Sequence, residues 1–133
     1  MGHSGEQAIS GFRAESIFDG RAVLVAIEES VPRDLVSEAN EQAAALVGKQ
    51  CMYMILDCSR MTGIGSKGVG LAAYHAAELR RKGGGLLLVP PPPAVARRLG
   101  FAPLRKIARF VSSVEEALGY VQESLGTVID SAS

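Results

Sequence analysis

Two short apolar runs constrain most what this chain can fold into. Residues 52–56, MYMIL, and residues 86–89, LLLV, are too short for core helices and lack polar alternation, which is the form of a strand covered on both faces. Before the first run and between the two, the period changes. Leu35, Val36, Ala39, Ala43, Leu46 and Val47 recur at helical spacing and stop near Gly48; a second helical pattern covers residues 71–79 and stops at Gly83, Gly84 and Gly85. Fully covered strands separated by helices imply a mostly parallel sheet with right-handed crossovers.

The rest of the chain extends this pattern. Residues 12–18 and 22–27 flank Asp19 and Gly20, a hairpin turn signal that adds an antiparallel edge strand. Pro90, Pro91, Pro92 and Pro93 form a stiff connector, the last of them opening a short helix through Leu99. Residues 107–111 are the final strand candidate. Ser112, with Glu115 three positions on, has the form of a capping box for a helix striped by Val114, Ala117, Leu118, Val121 and Leu125. The order β-β-α-β-α-β-α-β-α predicts an α/β domain, a four- or five-stranded mixed sheet flanked by about four helices. At 133 residues the chain suits one core. The expected organisation is a flexible lead over 1–11, the domain over 12–126 and a flexible tail over 127–133.

Charge removes some function classes. Fourteen Lys and Arg balance fourteen Asp and Glu, so no overall field draws the protein to nucleic acid or to an anionic membrane. Locally, Arg80, Arg81, Lys82, Arg97, Arg98, Arg105, Lys106 and Arg109 gather basic charge, to be read as solvated helix faces or as a surface for an acidic partner. Cys51 and Cys58 are not spaced as CxxC, and His3 and His75 are isolated, so no zinc set forms and buried reduced thiols are expected. No stretch approaches the ~18 apolar residues of a membrane span, and no basic-then-apolar leader opens the chain, so the expected location is the cytoplasm.

Residues 53–70, YMILDCSRMTGIGSKGVG, resemble the signature of the STAS family of the anti-sigma factor antagonist type, in which an apolar strand ends in Asp-Leu-Ser and an Asp-Ser-Ser-Gly-Leu-Gly motif opens a helix. Downstream, GGLLLVP at 84–90, VARRL at 95–99 and SVEEAL at 113–118 are similar to the family's next strand, short helix and last helix. The resemblance implies a single STAS-like domain that works as a non-catalytic bacterial regulatory module: it docks on an anti-sigma factor, often a serine kinase, and so releases a sigma factor. In that family the motif's second serine is phosphorylated. Here the family's Asp falls on Gly65, its first serine on Ser66 and its switch serine on Lys67, so the usual switch residue is missing. Ser66 keeps two readings, helix N-cap or alternative phosphorylation site. Lys67 places a cation against the helix dipole and either reaches solvent or contacts an acidic partner.

Rival chemistries fit poorly. GIGSKG at 63–68 matches GxGxxG, but six residues separate it from Leu56, and Val89 and Pro90 stand where a dinucleotide fold needs an acid. Asp57, Ser59 and Ser66 have no histidine at nucleophile-elbow or metal-ligand spacing; Asp57 reads as a turn residue, and no enzymatic role, metal or cofactor is expected. The expected partner face comprises Ser59, Thr62, Ser66, Lys67, Tyr74 and Arg81. Positions 67, 74, 78 and 81 recur near whole helical turns, with Ala72, Ala73, Ala76 and Ala77 turned to the sheet. The alternative reading is a STAS-like subunit of another assembly, in lipid transport or sensing, or a small-ligand or nucleotide-binding module.

Overall fold

The computed structural model describes residues 12–27, 36–61, 66–98 and 100–132. The strands are β1 (Phe12–Ile17), β2 (Ala22–Ile27), β3 (Tyr53–Asp57), β4 (Gly85–Val89) and β5 (Arg109–Phe110); the helices are α1 (Val36–Ala45), α2 (Ser66–Arg81), α3 (Pro93–Arg98) and α4 (Val114–Ala132). The sheet order is β1-β2-β3-β4-β5. The hairpin pairs β1 and β2 antiparallel, with Phe12 opposite Ile27, and the remaining pairs are parallel. The result is a five-stranded mixed sheet with four helices, the α/β domain expected from the change of period.

Strand alternation divides the core between the two faces. Val23, Val25, Met54, Leu56, Leu86 and Leu88 form one apolar layer with Ala43 of α1, Ala76 and Leu79 of α2, and Phe101 and Leu104. Ala22, Ile55, Leu87 and Val89 form the other with Ala117, Val121 and Leu125 of α4. Met54, Leu56, Leu86 and Leu88 thus face the layer of α1 and α2, and Ile55, Leu87 and Val89 face α4. That double coverage is why both strands read as unbroken apolar runs.

Four local expectations change. The turn after β1 takes in Phe18 as well as Asp19 and Gly20: all three have positive φ (53°, 56° and 85°), and Arg21 N–H closes the turn on Phe18 C=O at 3.1 Å. The last strand is shorter than 107–111, because residues 102–106 form a 3-10 turn. The amides of Ile107 and Ala108 both donate to Leu104 C=O, at 3.1 and 2.9 Å, and so are lost to the sheet. Pairing starts at Arg109, opposite Leu87, and continues as far as Val111 N–H on Leu88 C=O. The cap of α4 sits one residue later than expected. Ser113 Oγ accepts from Glu116 N–H at 3.0 Å, and the Glu116 carboxylate accepts from Ser112 N–H and Ser112 Oγ at 2.8 and 2.6 Å. Finally, α4 continues past Gly126 to Ala132. An interior glycine weakens a helix by about 1 kcal/mol but ends it only where it takes the left-handed conformation, and Gly126 does not.

At the N-terminal end of the parallel strands, Gly84 allows a close crossing. A Cβ there would lie 1.6 Å from Met52 C=O, the carbonyl that accepts from Gly85 N–H at 2.9 Å. Lys82 ties the same corner down, donating through Nζ to the carbonyls of Gly48 and Cys51.

Candidate functional site: the connection after β3 and the outer face of α2

At the C-terminal edge of the parallel strands, β3 ends on Asp57. Its carboxylate accepts from Ser59 N–H at 3.1 Å and from Ser59 Oγ at 2.7 Å, closing an Asx-type turn, which is the role its type and position indicated. Cys58 N–H continues the ladder onto Val89 C=O at 2.8 Å, and Met61 N–H folds back to Cys58 C=O at 3.0 Å. Cys58 and Met61 are both buried, so the first half of the connection is anchored to the core while Ser59 stays on the surface. Burial, reinforced by the neighbouring Asp57 carboxylate, pushes the Cys58 thiol far up, leaving it a protonated packing group. Cys51 is likewise buried, free and shifted up by burial, with Lys82 and the Tyr53 carbonyl opposing the shift.

The connection delivers the chain into α2, which begins at Ser66 with Lys67 in its first turn. Thr62 lies outside the described residues, as do the side chains at 66–73. Farther along α2 the faces are clear. His75, Ala76 and Leu79 are buried, whereas Tyr74 is 60 % exposed, the one exposed large hydrophobic side chain among the described residues. Ala77, expected against the sheet, is exposed: two residues from His75 it is turned by about 200° around the helix. The small-residue pattern therefore marks the inward face at Ala76 but not at Ala77.

Arg81 is exposed and lies with Tyr74 and Glu78 on one stripe. Arg81 Nη1 binds Glu78 Oε1 at 2.9 Å, an exposed i,i+3 pair worth about 0.3–0.5 kcal/mol. The Tyr74 ring meets the His75 ring edge-on at 5.7 Å. Burial lowers the His75 pKa, with the Glu78 carboxylate acting in the opposite sense, so this imidazole is held neutral under the exposed tyrosine. Of the six residues expected on one face, Ser59, Tyr74 and Arg81 are surface residues in the structure, and Ser66 and Lys67 are placed by backbone at the start of the same helix.

A second feature was not visible from spacing. The two basic runs, one at the end of α2 and one that leads into β5 and includes its first residue, supply Arg80, Arg105, Lys106 and Arg109 to a single cleft of about 560 Å³ beside β4. The runs themselves are plain in the sequence; what brings them together is the β4–β5 adjacency. Among the described residues no group of three or more His, Cys, Asp and Glu is placed to hold a metal ion, and no helix is long and apolar enough to cross a membrane.

Comparison with known proteins bears on the fold. No curated protein matches the sequence significantly. The fold is similar to that of the anti-sigma factor antagonist SpoIIAA in its unphosphorylated form, with a TM-score of 0.70 and 21% identity over 84% of this chain and 96% of that one. It is similar also to the phosphorylated form of SpoIIAA, the Bacillus cell fate determinant, with a TM-score of 0.60 and 21% identity over 83% and 98% of the two chains. A third similar structure is a candidate anti-sigma factor antagonist of Thermotoga maritima, with a TM-score of 0.63 and 19% identity over 84% and 94%. The family profile described as STAS domain matches residues 7–117, most of the length, and the chain belongs to the STAS domain family.

Proposed function

We propose that this chain is a non-catalytic bacterial regulatory module of the anti-sigma factor antagonist type, and that it binds an anti-sigma factor or a related regulatory protein through the connection after β3 and the outer face of α2. The observation that carries the reading is Tyr74. A tyrosine left 60 % exposed on a helix whose neighbouring His75, Ala76 and Leu79 are buried has no role in the core, and aromatic side chains are the usual anchors of protein interfaces. Ser59, Ser66, Lys67 and Arg81 would form the polar rim around it, with Thr62 between them in sequence.

Lys67 stands where the resemblance puts the phosphorylatable serine, so the interaction is not switched at that position, because an ammonium group cannot accept a phosphoryl group. A lysine in the first turn instead offers a positive charge to an acidic partner, at a small cost in helix stability. The test is calorimetric titration against an anti-sigma serine kinase from the same genome. Lys67→Glu weakens the complex by about 1–3 kcal/mol while thermal stability holds or rises slightly, since an acid suits the first turn. Tyr74→Ala weakens it by a similar amount. Unchanged affinity in both variants places the interface elsewhere, and stoichiometric phosphate on Ser66 after incubation with kinase and ATP restores a phosphorylation switch to the account.

A further inference from the structure

We propose that the cleft beside the shortened fifth strand binds the phosphate groups of a small anionic ligand, at a site separate from the partner face of α2. The cleft exists because the 3-10 turn consumes the amides of Ile107 and Ala108, so the chain diverges from β4 there and, among the described residues, leaves Gly85 and Leu86 paired to β3 but with no strand on their β5-facing side. The gap measures about 560 Å³, within the range of small-molecule sites. One wall is Gly83, Gly84 and Gly85, which present backbone without side chains.

Four cations converge on this space. Arg80 comes from the last turn of α2, Arg105 and Lys106 from the 3-10 turn, and Arg109 from β5, with no carboxylate among the described lining residues. Among the described residues none of the four is held in an ion pair. Two of them are fixed in orientation: the Arg105 guanidinium lies 4.4 Å over the Phe110 ring centroid and that of Arg109 lies 4.5 Å over Tyr120. Stacking on one face leaves the N–H edges of a guanidinium free, and those edges match phosphate oxygens in forked geometry. A chain of zero net charge that gathers four positive groups around an open pocket is complementary to an anion carrying several negative charges, which a diphosphate does and a single carboxylate does not.

The experiment titrates the intact protein with inorganic pyrophosphate and, in a parallel arm, with ADP, following backbone amide shifts by NMR and affinity by calorimetry. Both probes are expected to shift resonances of residues 83–86 and 105–110, with affinity falling steeply as salt is raised. Equal affinities mean that the anion alone fills the site; tighter ADP means that the rest of the molecule also occupies the cleft. Arg105→Gln and Arg109→Gln each reduce affinity roughly tenfold, and together roughly a hundredfold, whereas Lys67→Glu leaves it unchanged. Absence of binding at millimolar probe, binding that survives the double substitution, or shifts confined to other surfaces overturns the proposal. Binding of an oligoglutamate peptide without binding of either phosphate probe also overturns it, in favour of an acidic protein segment.

Discussion

Replacing Gly84 with alanine tests the corner at which α2 returns to the sheet, and Gly85→Ala is its matched control. At residue 84 the new Cβ would fall 1.6 Å from the oxygen and 2.5 Å from the carbon of the Met52 carbonyl, both backbone atoms that no rotamer change can move aside. Restoring ordinary contact requires the two chains to part by roughly 1.5–2 Å. That separation breaks Gly85 N–H to Met52 C=O and strains Met52 N–H to Arg21 C=O, at 2.9 and 2.8 Å. Two backbone hydrogen bonds at about 1 kcal/mol each, plus about 1–3 kcal/mol for a carbonyl left unsatisfied, give roughly 3–5 kcal/mol of destabilisation. At residue 85 a Cβ meets nothing within 4 Å, so Gly85→Ala is expected to be neutral or to stabilise by up to about 1 kcal/mol. Urea denaturation of both variants decides the matter. Equal midpoints, or a loss under about 1 kcal/mol for Gly84→Ala, would refute the reasoning.

Two further predictions concern α4 and α2. Ser113→Ala removes the acceptor of Glu116 N–H and is expected to cost about 1 kcal/mol in the same assay. Because hydrogen bonds from Ser112 hold the Glu116 pKa below its ordinary 4.5, its contribution is present above that value and disappears as pH falls through the lower folded value, so Glu116→Gln flattens the acid limb of a stability profile. The buried His75 is held below 6.5, so it stays neutral in the fold while the unfolded chain takes up a proton; stability is complete above pH 6.5 and declines as pH drops towards the folded pKa. His75→Gln removes that decline, and identical slopes for the two proteins would count against the assignment.

How far the sequence discloses the molecule follows from which interactions are local. Strands β3 and β4 were legible because both faces are covered, which leaves an apolar run with no competing reading, and α1, α2 and α3 announced themselves by period, by glycine stops and by Pro93. What escaped depends on contacts that spacing does not encode. The shortening of β5 comes from two amides choosing Leu104 C=O over the sheet, and Phe18 joins its turn through a backbone conformation uncommon for its type. At α4, Ser112 and Ser113 are adjacent and both followed by glutamates, so sequence alone offered two registers for one cap. The site divides in the same way. The outer stripe of α2 was readable from helical period, although Ala77 shows that small size is no guarantee of burial; the basic cleft was not, since Arg80 and Arg109 meet only after β4 and β5 pair.

The central claim, that the connection after β3 and the outer face of α2 form a protein-docking surface, is tested most directly by mapping the amide shifts of the isotopically labelled protein as an unlabelled anti-sigma serine kinase is added. The account predicts broadened or shifted resonances at Ser59, along residues 66–81 and above all around Tyr74, with β1 and the distant face of α4 unaffected. Perturbations centred on β1 or α4, with residues 66–81 unmoved at saturation, would contradict it.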